Sequence, residues 1–214
     1  MNAEKLSIEE GRFLVKLARR AVEEYLSSAR IITPPPETPL RLWEKRGVFV
    51  TIERIVVDPE SRRADRILRG CIGYPEPVYP LVEGDIRAAI AAATQDPRFP
   101  PLTLREMKDV IFEVSVLTPP RRVEYRDPEE LLDKIKVGRD GIIIESGYAR
   151  GLLLPQVPVE YDWNVEEYLK NACLKAGLSE DAWREGRVNV YVFQAQIFIE
   201  VTPGGEVIER ELWA

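Results

Sequence analysis

Apolar residues recur at helical spacing near the start of the chain. Leu14, Leu17, Ala18, Ala21, Val22 and Tyr25 share one face; Arg12, Lys16, Arg19, Arg20, Glu23 and Glu24 share the other. Ser7, with Glu10 three residues on, forms a capping box, so the pattern predicts a helix over 8–29. Thr33-Pro34-Pro35-Pro36 ends it in a stiff, extended connector. Val48 to Val56 is rich in β-branched residues and predicts a strand. The charged segment 58–63 reads as an exposed turn, and Leu68 to Gly73 as the returning strand of a hairpin. Helical spacing resumes from Leu81 to Gln95, with Val82, Ile86, Ala89, Ile90 and Ala93 on one face and Pro97 as the stop. The run Ala91-Ala92-Ala93 carries so little side chain that another element must approach this helix closely.

Val110 to Leu117 predicts a strand whose Phe112, Val114 and Val116 form one apolar face. Thr118-Pro119-Pro120 marks a break. Beyond it, 121–158 reads as a smaller lobe: a short helix at Asp127-Pro128-Glu129-Glu130, a tight turn at Asp140-Gly141, and strands from Ile142 and Tyr148. Asn164 caps a helix to Ala176, which Gly177 stops. Ser179 to Gly186 predicts a shorter helix, and Val188 to Val201 one long strand. Gly204-Gly205 turns into a last strand through Val207 and Ile208. Strands separated by both helices and hairpins imply an α+β fold, with a mostly antiparallel sheet covered on one face by the helices 8–29 and 80–95. The expected division is a main lobe of 1–120 plus 159–214 and a smaller α/β subdomain of 121–158.

The chain has 214 residues, enough for one sizeable domain or two lobes. A net charge of -6 speaks against a general nucleic-acid surface. No apolar run reaches membrane-spanning length and no signal-peptide pattern opens the sequence, so a cytoplasmic location is expected. Histidine is absent, which removes Ser-His and Cys-His dyads and imidazole metal ligands. Cys71 and Cys173 lie far apart with no CxxC company, too few for a zinc site, and a reducing cytosol disfavours pairing them. No Gly-rich phosphate loop occurs, so neither a metal nor a cofactor is expected. With 17 prolines and only 2 methionines, and arginine in excess over lysine, the composition leans towards a heat-adapted source.

Candidate chemistry gathers in three stretches. In Leu68-Arg69-Gly70-Cys71-Ile72-Gly73, strand alternation puts Arg69 and Cys71 on one face. A cation beside a thiol favours thiolate; the other reading makes Cys71 a small buried hydrophobe. Gly70 and Gly73 permit close approach of backbone or ligand. In Asp96-Pro97-Arg98-Phe99-Pro100-Pro101, three prolines hold Asp96, Arg98 and Phe99 in a rigid loop, as a ligand site or as a structural turn with an ion pair. Glu113 and Ser115, flanked by Ile111 and Leu117, need partners or a wet cleft unless they simply face solvent.

These three stretches, with Asp140-Gly141, Leu154-Pro155-Gln156-Val157 and Cys173-Leu174-Lys175-Ala176-Gly177-Leu178, occur in the same order in the AMMECR family. The chain resembles a prokaryotic member over nearly its whole length. It departs in Tyr74-Pro75, where many relatives have a small residue, and in lacking the histidine and tryptophan that some bacterial relatives carry near 152–158. The resemblance implies two α+β subdomains with the hallmark residues near a cleft between them. The break at Thr118-Pro119-Pro120, with matching motifs at both ends, leads us to expect Leu154 to Val157 as one wall of that cleft. It supplies no accepted reaction. It implies, by association only, pathway partners of the Memo and radical SAM types.

The expectation is a cleft lined by Arg69, Gly70, Gly73, Asp96, Arg98, Phe99, Ser115, Pro155 and Gln156 that binds a small anionic or polar ligand. Arg69 and Glu113 would meet directly or through one ligand or water. One alternative is an enzyme with Cys71 as nucleophile or redox centre and Glu113 as acid/base. Another is a regulatory or nucleic-acid-binding module.

Overall fold

The computed structural model describes residues 5–57 and 64–211; the expected charged turn at 58–63 and the lead-in at 1–4 lie outside the described residues. The chain divides into two compact units, Met1–Leu117 with Gln196–Arg210, and Thr118–Ala195 with Glu211–Ala214.

The first unit opens with helix α1 (Ile8–Ser28). Ser7 and Glu10 form the reciprocal capping box, and Leu14, Leu17, Ala18, Ala21 and Val22 are buried, as the periodicity predicts. Strands β1 (Val48–Val57) and β2 (Ala64–Tyr74) precede helix α2 (Leu81–Thr94) and strand β3 (Val110–Leu117). Later in the chain, β8 (Ala195–Glu200) and β9 (Val207–Arg210) complete a five-stranded sheet in the order β2-β1-β3-β8-β9. β1 runs antiparallel to β2 and β3, and β8 to β9. Val48, Val50 and Ile52 of β1 and Val110, Phe112, Val114 and Val116 of β3 share one core with the buried faces of α1 and α2. The opposite face of the sheet carries the odd-numbered positions of β1 and β3.

Arg19, assigned by its spacing to the solvent face of α1, is instead drawn inward. Its Nε and Nη2 donate to both carboxylate oxygens of Glu200, at 2.7 and 2.6 Å. Its remaining donors reach the carbonyls of Met107 and Val110. Glu200 also accepts the Phe112 N–H, so one bidentate pair ties α1 to β3 and β8.

The second unit holds a sheet in the order β4-β7-β5-β6, from β4 (Arg121–Arg122), β5 (Gly141–Ser146), β6 (Ala149–Leu153) and β7 (Asn189–Phe193). Helices α3 (Glu130–Lys134), α4 (Gln156–Glu160) and α5 (Val165–Lys175) accompany it. Asn164 and Glu167 cap α5 reciprocally, as expected for a helix start at Asn164. Tyr168, Leu169, Ala172 and Cys173 of α5 join Ile142, Ile144 and Val190 in a separate core.

Three sequence expectations change here. The run Val188–Val201 is two strands, broken at Gln194: β7 pairs with β5, while β8 lies in the first sheet. An unbroken alternating pattern does not reveal which sheet takes each half. Consequently 159–195 packs with 118–158, although the sequence reading placed it in the main lobe. The segment Ser179 to Gly186 forms hydrogen-bonded turns, such as Ala182 N–H to Ser179 O and Arg184 N–H to Asp181 O, in place of a helix. The short helix α4, unforeseen in the sequence, follows Pro155.

Candidate functional site

The hallmark hexapeptide lies on β2, an edge strand of the first sheet. Its register slips once: Ile52 faces Gly70, but Glu53 faces Leu68, leaving Arg69 as the extra residue of a bulge. A bulge reverses the alternation and re-aims the inserted side chain. The expectation that Arg69 and Cys71 share a face therefore fails. Arg69 binds Glu106 at 2.9 Å and donates to the carbonyls of Pro100 and Pro101. Burial pushes Glu106 up, but hydrogen bonds from Arg69 and Thr103 prevail and hold its carboxyl below its ordinary value. Arg69 and Glu113 do not pair directly: Arg69 binds Glu106 and Glu113 binds Arg210.

Gly70 is required by packing. A Cβ there would lie 2.1 Å from the carbonyl oxygen of Ala92, so α2 rests on the bare strand through its alanine run. At Gly73 a Cβ would lie 2.3 Å from the ring of Phe49, which leans across from β1.

The loop after α2 is fastened to the same strand. The Asp96 carboxylate, almost fully buried, accepts the Cys71 N–H at 2.9 Å. It also accepts the Arg98 backbone N–H and two guanidinium N–H groups, at 3.1, 2.9 and 2.7 Å. Hydrogen bonds from Arg98, opposed by burial and helped by those two backbone donors, lower Asp96 to about 2. Asp96 thus occupies an edge donor of β2 that would otherwise lack a strand partner. The Arg98 guanidinium lies 5.5 Å from the centre of the Phe99 ring, a cation–π distance.

The face of the sheet opposite the helices is polar at its centre. Cys71, Thr51 and Glu113 stand abreast on β2, β1 and β3. Thr51 Oγ1 donates to Cys71 Sγ at 3.3 Å. Glu113, 3 % exposed, binds Arg210 of β9 at 2.9 Å. Ser115, in the next row opposite Phe49, is 1 % exposed, and its hydroxyl has no hydrogen-bond partner among the described residues. Burial pushes the Cys71 thiol up. Thr51 and Arg98 pull it down, and the carboxylates of Glu113 and Asp96 push it further up. A neutral thiol is therefore the form present near neutral pH.

The first unit thus brings Cys71, Glu113 and Ser115 onto one face, with Asp96 and Arg98 fixed beside Cys71. Pro155 and Gln156 belong to the second unit, where Gln156 is buried and its side-chain oxygen lacks a hydrogen-bond partner among the described residues. Sequence reasoning missed Thr51 and Arg210. Thr51 is a polar residue in mid-strand, a readable signal; Arg210 ends a strand and carries none. Cys71 and Cys173 are both free. Among the described residues no group of three or more Cys, Asp or Glu side chains is placed to hold a metal ion. No helix among them is long and apolar enough to cross a membrane.

Comparison with known proteins finds relatives along nearly the whole chain. The family model described as AMMECR1 matches residues 15–198. A relative from Thermofilum pendens is 69% identical over 97% of this chain and 98% of its own length. One from Methanocaldococcus jannaschii is 54% identical over the same shares. The crystal structure of an uncharacterised protein from Pyrococcus horikoshii, 54% identical, superposes with a TM-score of 0.89, covering 97% of this chain and 100% of the other.

Proposed function

The chain belongs to the AMMECR1 family, and on that premise we propose that the polar face around Cys71 binds a small polar or anionic ligand. The observation that carries this reading is the Ser115 hydroxyl, buried without a hydrogen-bond partner among the described residues, one row from Thr51 and Glu113. A buried hydroxyl left unsatisfied is destabilising by about 1–3 kcal/mol, and a ligand atom would relieve it. Glu113 and Arg210 supply an acceptor and a donor in fixed geometry, and Thr51 orients the thiol. The same features favour binding over nucleophilic catalysis. The cation expected to activate Cys71 is held by Glu106, burial raises the thiol, and the chain has no imidazole to take its proton.

Native mass spectrometry of protein isolated gently from its source tests the proposal. The wild type should carry a small molecule of defined mass, and Ser115→Val should carry none while keeping the fold. Small-molecule extract from the same source should slow iodoacetamide labelling of Cys71 in the wild type alone. Each protein appearing only at its bare polypeptide mass, together with no protection by the extract, would dismiss it.

A further inference from the structure

We propose that the second unit carries a separate oxyanion site, built from Arg122 and Arg126, for a small phosphorylated or carboxylated molecule. An open cleft of about 260 Å³ lies against these two arginines, Glu124, Tyr125, Gly186, Val188 and Asn189. That size suits a compact metabolite, since pockets for drug-sized ligands usually start near 300 Å³.

The site is built on fixed backbone. Beyond β4, Val123 N–H donates to Val190 O and Tyr125 Oη to Val188 O, both at 2.8 Å, holding the segment along β7. The backbone N–H groups of Arg126 and Asp127 both donate to Glu130 Oε1, at 3.2 Å. Gly186, in the left-handed region at φ +66°, adds no side chain, and a Cβ there would meet no atom within 4 Å.

The charge arrangement supplies the chemistry. Arg122 is oriented by Asn189 Oδ1 at 2.8 Å and lies 4.0 Å from Glu124, whose side chain is 84% exposed. Arg126 makes no side-chain hydrogen bond or ion pair among the described residues. Nearby arginines are engaged: Arg184 with Glu129, Glu166 and Asp181, and Arg187 with Glu185. Charged residues on an edge strand commonly deter unwanted strand pairing, which accounts for Arg121. That explanation does not reach Arg126, which lies past the paired residues Arg121 and Arg122. Two guanidiniums at one cavity, one of them unpaired, match the forked geometry by which arginine recognises phosphate and carboxylate.

The test is a titration of the whole chain with sodium phosphate, sodium acetate and sodium chloride at matched ionic strength, followed through the arginine Nε–H signals by NMR. Saturable shifts confined to Arg122 and Arg126 with phosphate, with acetate or with both are expected, and the salt that saturates identifies the class of oxyanion. Arg126→Gln should weaken binding about ten-fold, about 1.4 kcal/mol. Arg126→Lys should keep part of it, and Arg121→Gln should leave it unchanged. Because the Arg126 side chain is unpaired, its variants should fold normally, which their amide spectra will show. Shifts that rise linearly at all surface arginines, or unchanged binding in Arg126→Gln, would overturn the proposal. This outcome is independent of the Cys71 face, since every variant lies in the second unit.

Discussion

Asp85 is fully buried in α2, and neither of its carboxylate oxygens has a hydrogen-bond partner among the described residues. Burial alone raises its pKa well above the ordinary value. The folded chain therefore holds a proton that the unfolded chain releases near pH 4. Stability falls as pH rises from the ordinary carboxylate range through the raised folded value, because the native state binds the extra proton over that interval. Denaturant unfolding of wild type and Asp85→Asn at a series of pH values should show this decline only in the wild type. Parallel pH profiles would mean that Asp85 has a partner when folded. Asp85 escaped notice in the sequence because periodicity counts apolar positions and passes over a single polar residue among them. Arg69 was noticed but misdirected: alternation fixes a face only while the register holds, and a bulge depends on the partner strand.

At the level of elements, α1, α2, β1 and β3 were legible because each carries a strong period of its own. The close approach to Ala91-Ala92-Ala93 was also legible, and Gly70 proves to be what meets it. Gly70→Ala should destabilise by about 1–3 kcal/mol or more, since the clash is with helix backbone that cannot rotate away. Urea denaturation reads this directly, and an unchanged midpoint would mean that α2 shifts freely. The Arg19–Glu200 pair was not legible, because its partners lie 181 positions apart. Arg19→Ala should lose about 3–5 kcal/mol by leaving the Glu200 carboxylate, 1 % exposed, without its cation. Arg19→Ala with Glu200→Gln should recover part of that loss, whereas strict additivity would deny the coupling. The division at Gln194 was hidden for the same kind of reason: strand pattern records burial, and pairing partner is a long-range property.

Across the whole molecule, family and fold class were readable from ordered motifs, and the absence of histidine limited the chemistry before any geometry was known. With no imidazole in the chain, the ionisation of Cys71 depends on burial, Thr51 and the surrounding charges of Arg98, Glu113 and Asp96. On the proposed binding face, Cys71 is a neutral thiol among polar neighbours and not a nucleophile. The most direct measurement is the pH–rate profile of iodoacetamide alkylation at Cys71, taken in a Cys173→Ser background with and without Arg69→Ala. Expected are a midpoint above that of a free thiol, near 8.5, slow labelling at pH 7 and no change on removing Arg69. A midpoint well below 7 that rises when Arg69 is removed would contradict this and restore Cys71 as a nucleophile.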